Sequence, residues 1–130
     1  MIGRLHCLVI DCPAPLELAG FYAELLGLDR IDAATDWVTL GRGAMLPVLA
    51  LQQVADFRAP CWRDPDAPGQ LHVDVLVDDL DAAEPRVIEL GATLLEGSPK
   101  PIGYRVYADP VGHPFCLVTP ESVSWSAGAP

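Results

Sequence analysis

The run Leu71-His72-Val73-Asp74-Val75-Leu76-Val77 carries an imidazole and a carboxylate two residues apart. In an extended strand, residues two apart share a face. His72, Asp74 and Leu76 then point one way, and Val73, Val75 and Val77 the other. The valine face suits packing on helices. The His72/Asp74 face is polar at one end and lines something wetter, where the imidazole can bond Asp74 or a water. A second histidine, His6, opens a similar run, Leu5-His6-Cys7-Leu8-Val9-Ile10-Asp11-Cys12. The four cysteines, Cys7, Cys12, Cys61 and Cys116, form no C-x-x-C pair. They read as buried reduced thiols rather than a structural zinc site. No glycine-rich phosphate loop and no nucleophile elbow is present.

The elements that must position these groups follow from periodicity. Asp78 or Asp79 is the expected N-cap of a helix over 80–90 that stops at Gly91. Near the N-terminus a strand is expected over 4–11. The prolines of Cys12-Pro13-Ala14-Pro15 stop it, and a helix over 16–26 follows. Leu18, Phe21, Tyr22, Leu25 and Leu26 recur at helical spacing, and Gly27 suits the C-cap. Phe21 and Tyr22 read most simply as core. His72 lies 66 residues after His6, and Gly91 lies 64 after Gly27. An offset held within two residues implies an internal duplication.

The rest of the chain completes both copies. Residues 28–36 are polar and read as irregular. Strands are expected over 37–40 and 46–54, the second carrying Gln52 and Gln53. In the second half, strands are expected over 93–96, 104–107 and 114–118. Asp109-Pro110-Val111-Gly112 matches a β-turn with proline in second place. Each half is then a βαβββ module, about 4–54 and about 71–119, in one α+β domain over 1–120. Residues 121–130 form a tail. The connector 55–70 holds three prolines and a glycine, yet also Phe57, Arg58, Trp62 and Arg63. A loop this long in a small domain is commonly functional, and covering a pocket is one use for it.

Composition narrows the partners. Eighteen acidic against eight basic residues leave a net charge of −10. That argues against nucleic acid and anionic membranes. No apolar run approaches the ~20 residues needed to span a bilayer, and no signal-peptide pattern opens the chain. A cytoplasmic location is the expectation.

Three stretches together carry a family resemblance: Phe21-Tyr22 through Leu25-Leu26-Gly27, the run Val75 to Ala83, and Tyr107-Ala108-Asp109-Pro110-Val111-Gly112-His113-Pro114. Over about residues 4–119 the chain resembles the vicinal oxygen chelate superfamily, the glyoxalase, bleomycin-resistance and extradiol-dioxygenase group. It is most similar to the glyoxalase-like branch. The resemblance implies two βαβββ modules forming a curled, barrel-like mixed sheet around a cleft. It also implies a homodimer. Family enzymes hold a divalent metal (zinc, iron, manganese or nickel) with ligands from the first and last strands of each module. Carried over, those positions fall on His6, Gln52, His72 and Cys116. Many family enzymes have a glutamate where this chain has Cys116. A thiolate is softer and favours zinc, while a thiol between Phe115 and Leu117 should keep its proton and ligate poorly. Asp74 is the carboxylate that can rescue the set. With His6, Gln52 and His72 all neutral, the expectation is no tightly bound metal.

Other residues suit a pocket. Arg105 and Tyr107 share a strand parity and can face the cleft together, Arg105 toward an anionic or carbonyl group. The plainer reading of Arg105 is a surface ion pair. Trp37, Phe57 and Trp62 suit stacking on a flat ligand, or core and loop anchoring. Two functions stay open. One is a binder of a small, aromatic or drug-like molecule that uses His6, Trp37, Gln52, Phe57, Trp62, His72, Asp74, Arg105, Tyr107 and Cys116. The other is a metal-dependent lyase, isomerase or dioxygenase built on His6 and His72.

Overall fold

The structure is a computed structural model that describes residues 1–43 and 47–122. The expected strand start at residue 46, and the tail beyond 122, lie outside the described residues. The chain divides into two compact units, Met1–Arg58 and Ala59–Pro130. The division falls inside the connector. Among the described residues no helix is long and apolar enough to cross a membrane.

The first unit runs β1 (Leu8–Cys12), α1 (Pro15–Leu26), β2 (Asp29–Ala33), β3 (Trp37–Gly41) and β4 (Pro47–Gln53). The second runs β5 (Val73–Leu76), α2 (Leu80–Glu89), β6 (Thr93–Gly97), β7 (Tyr104–Ala108) and β8 (Pro114–Val118), with a 3₁₀ turn at Pro120–Ser122. Both are βαβββ modules of an α+β fold. Each has its own open four-stranded sheet, ordered β1-β4-β3-β2 and β5-β8-β7-β6. In both, the first strand pairs parallel to the last and the other pairs are antiparallel. The sheets are mixed, but neither closes into a barrel.

Two expectations need correcting. β1 begins at Leu8, not residue 4, so His6 stands two residues outside the ladder. Residues 29–33 are a strand, not an irregular link. Their sequence, DRIDA, has no apolar alternation, and only Ile31 is partly buried. Pairing with β3 alone makes this segment extended, which is tertiary context overriding local preference.

The first core is conventional. Leu18, Ala19, Phe21 and Tyr22 of α1 are buried, as are Val38, Leu40, Leu49 and Leu51 of the sheet. The Phe21 and Tyr22 rings meet edge to face at 5.0 Å. Full burial of each large side chain contributes about 1.5–3 kcal/mol. Gly27 ends the helix at φ 63, a conformation that costs glycine little, and Leu28 N–H returns to the Ala23 carbonyl at 2.9 Å.

The second unit holds its helix differently. Asp79 caps α2, its side chain accepting from Ala82 N–H at 2.8 Å. Only Leu80 and Val87 of α2 are buried. A polar grip supplies the rest. Arg105 of β7 is 6% exposed. Its guanidinium donates to Asp81 at 2.6 Å and Glu84 at 2.9 Å, both on α2, and to the carbonyls of Ser98 and Lys100. Tyr107, two residues on, donates its hydroxyl to Glu84 at 2.8 Å and stacks on Phe115 at 5.5 Å. The hydrogen bond to Asp81 and the Glu84 charge hold Arg105 firmly protonated. Burial, then Glu84, pushes the Tyr107 hydroxyl upward.

Arg105→Ala should therefore destabilise the protein by about 3 kcal/mol, because it takes the cation from the partly buried Glu84 and the donor from the Ser98 and Lys100 carbonyls. Adding Glu84→Gln should restore part of that loss. Chemical denaturation of the two variants checks this, and strictly additive losses would contradict it.

Candidate functional site

Four of the sequence-derived residues gather on one face of the second sheet, the face opposite Arg105 and Tyr107. The register sets Glu96 opposite Val106, Val106 opposite Cys116 and Cys116 opposite Asp74. Directly opposed residues share a face, so one row crosses all four strands. At the usual strand spacing it is about 14 Å long. A carboxylate stands at each end, with Val106 and the buried Cys116 between.

Trp62 lies over this row. It packs on Val106, Cys116 and Val118. Its indole N–H donates to Glu96 Oε1 at 2.7 Å, and its ring meets the His72 imidazole edge to face at 5.7 Å. Arg63 donates to the same Glu96 carboxylate at 2.9 and 3.2 Å and stands 5.7 Å from the Trp62 ring. His72, one residue before β5, approaches Asp74 with Nε2 3.3 Å from Oδ1. A ligand atom each from His72, Asp74 and Cys116 lie within 4.8 Å of one another. A recess of ≈ 560 Å³ opens beside Trp62, lined by Arg63, Asp64, Pro65, Pro68 and Gly69.

Glu96 was not visible as a site residue from sequence, and Arg63 only as a loop cation. A bulge between Leu94 and Glu96 changes the register of β6 and aims Glu96 at this face. Gly97 follows at φ 140, and a Cβ there would come within 2.5 Å of the Arg105 Cα and the Tyr104 carbonyl. The Glu96-Gly97 pair was the only local signal.

The remaining sequence-derived residues are placed elsewhere. Arg105 and Tyr107 do share a face, but it is the one that α2 covers, and both are bonded to Glu84. In the first unit, Trp37 opposes Gln52, which opposes Asp11. Trp37 bonds Thr39 through its indole N–H at 2.9 Å. Gln52 is exposed and Phe57 half-buried in the loop after β4. His6 is exposed, and β1 and β5 begin 65 residues apart, so His6 is one step out of register with His72. Along a strand, one step reverses the face. The β6 bulge has a counterpart between Arg30 and Asp32 of β2. Counted from it, the row corresponds to Asp32, Thr39, Ala50 and Val9. Gln52 lies two residues beyond Ala50.

The donor types can be tested against a metal. Imidazole, carboxylate and thiol are all zinc ligands, and their spread suits a small ion after modest adjustment. The thiol is the weak member. Burial, reinforced by Asp74, pushes Cys116 up to about 11, so it stays protonated at neutral pH. That leaves one carboxylate and a neutral imidazole, a poor set for a hard ion such as Mn²⁺.

A family model for the glyoxalase-like domain matches residues 7–118. The chain belongs to this glyoxalase-like family, within the vicinal oxygen chelate superfamily. A search of the curated proteins finds no match. Solved structures share the fold. One is a glyoxalase/bleomycin resistance protein/dioxygenase family enzyme from Burkholderia phytofirmans. It has a TM-score of 0.68 at 15% identity and covers 90% of this chain and 98% of its own. Another is the fosfomycin resistance protein FosX from Listeria monocytogenes, complexed with Mn(II) and sulfate. Its TM-score is 0.63 at 13% identity, over 92% of this chain and 90% of its own. A third is TnmS3, an antibiotic binding protein from Streptomyces sp. CB03234. Its TM-score is 0.57 at 24% identity, over 92% and 97%. At these identities the likeness is one of fold.

Two predictions follow from the Glu96 anchor. Hydrogen bonds from Arg63 and then Trp62 hold the Glu96 carboxyl below its ordinary range. A carboxyl lowered in the fold stabilises above its unfolded pKa of about 4.3, and that contribution fades as pH falls through the lower folded value. The Glu96 side-chain carboxyl resonance should therefore titrate with a midpoint below about pH 4.3, and the Trp62 indole N–H resonance should respond to that step; a Glu96 midpoint above that pH would contradict the anchor. Gly97→Ala should cost about 2 kcal/mol or more and shift the same indole resonance, because β6 must move away from β7.

Proposed function

We propose that this chain binds a small organic molecule, aromatic or drug-like, on the sheet face that carries His72, Asp74 and Cys116 and that Trp62 covers, and that it does so without a tightly held metal. The supporting observation is the convergence itself. An aromatic ring, an apolar floor and a polar edge meet on one sheet face, the usual composition of a small-molecule site. The antibiotic binding of TnmS3 on the same fold agrees with this reading. The two modules then act as one glyoxalase-like domain, since the family model spans both. Four free cysteines suit a reducing, cytoplasmic compartment. A homodimer rests on the family resemblance alone.

A second reading is a metal-dependent lyase, isomerase or dioxygenase built on His72. The His72, Asp74 and Cys116 donors favour it, as does Mn(II) in FosX. The bound metal would supply Lewis-acid polarisation of a chelating substrate. Here Asp74 would provide charge, and the Cys116 proton would oppose binding.

Elemental analysis of untagged protein separates the two. The wild type should hold no stoichiometric divalent metal, and Cys116→Glu should gain one. A wild type that carries one metal per chain, lost in His72→Ala, would overturn the binder reading in favour of the enzyme. A thermal-shift screen against planar aromatics should raise the wild-type melting temperature, and silence across the whole panel would count against ligand binding on this face.

A further inference from the structure

We infer that the Trp62 indole is an internal stand-in for the ligand, and that the site takes a flat heteroaromatic whose N–H replaces the indole N–H on Glu96. The inference rests on the ligand-binding reading above and names the chemical class of its ligand.

Trp62 makes three contacts that a free ligand could reproduce. Its ring packs on Val106, Cys116 and Val118, its N–H reaches Glu96 at 2.7 Å, and it meets the His72 ring edge to face. An all-carbon ring would leave the Glu96 oxygen without that donor, and an anion would meet carboxylates at both ends of the row. Recognition of this kind selects a neutral or cationic donor-bearing ring.

The segment that carries Trp62 is held together by its own backbone bonds. Residues 54–72 contain no helix or strand. Within them a small loop closes on itself. Cys61 N–H bonds the Ala67 carbonyl at 2.8 Å, Asp64 N–H bonds Cys61, and Ala67 N–H bonds Asp64. Asp66 N–H also bonds the Asp64 side chain. These bonds survive if the loop swings. By contrast, the side-chain hydrogen bonds of Trp62 and Arg63 to the sheet all converge on Glu96. Arg63 sits at φ 63, a left-handed conformation that a non-glycine residue holds only when its surroundings enforce it. One carboxylate thus takes the side-chain hydrogen bonds of both residues, and a competing donor would displace them from it, while Ala59, Pro60 and Gly69 stay close to Gly112 and Pro114.

The test follows the Trp62 indole N–H resonance in isotope-labelled protein titrated with indole, and with indene as its all-carbon counterpart. In the wild type, indole should move that resonance saturably as the ring is displaced. Trp62→Ala removes the internal competitor and should bind indole about tenfold more tightly than the wild type. In that background indene should bind about tenfold more weakly than indole, and adding Glu96→Leu, which removes the acceptor, should erase the difference. The wild-type titration needs no variant to fold. A Trp62 resonance unmoved up to the solubility of indole overturns the inference. So does indole binding to Trp62→Ala that is indifferent to Glu96. If either is seen while another planar aromatic binds this face, only the stand-in fails and the ligand-binding reading survives. If no planar aromatic binds the wild type or Trp62→Ala, both fail.

Discussion

The second unit depends on a buried guanidinium. With only Leu80 and Val87 buried, α2 has little apolar surface to press on the sheet. Arg105 instead clasps Asp81 and Glu84 and fills its remaining donors with backbone carbonyls. Buried ion pairs of this kind are specific in geometry more than strong in net energy, because desolvation offsets much of the attraction. The clasp decides which face of the sheet belongs to the helix, and so leaves the other for Trp62, His72, Asp74 and Cys116.

The two faces of β7 and β8 therefore solve different problems with alternate residues. Arg105 and Tyr107 go to the helix, while Val106 goes to the row beneath Trp62. Phe115 and Leu117 go to the core, while Cys116 goes to the row. Substitutions on one parity test the clasp, and those on the other test the site. The backbone between them is shared.

Much of the fold was legible because its signals are local. The Phe21-Tyr22 stripe, the Asp79 cap and the proline at second place of the 109–112 turn all mark elements that formed close to the expected bounds. β2 was not legible, because an exposed strand with one neighbour has no pattern to show. Of the site, His72 and Asp74 could be paired from alternation, and Cys116 and Trp62 stood out by type. Glu96 could not, since a bulge shifts parity and here leaves only the glycine at 97 as a mark. Arg105 shows the other failure. Parity tells which residues share a face but not which face is wet. The acidic residues at 81 and 84, three apart on α2, were the available sign that a cation would meet the helix.

The bulge that recurs in β2 and β6 marks equivalent places in two copies of one unit. Next to the bulge both copies carry a carboxylate, and at the other three places of the row they have diverged. The second carries Glu96, Val106, Cys116 and Asp74, while the first carries Asp32, Thr39, Ala50 and Val9. Had the unit remained a separate chain assembled in pairs, every substitution would have appeared twice, once on each side of the symmetry axis. Joining two copies in one polypeptide removes that constraint. A thiol and a second carboxylate can stand on one side while the other keeps Ala50 and Val9. The asymmetry of this chain is the freedom that fusion allows, visible in three residues of one ladder.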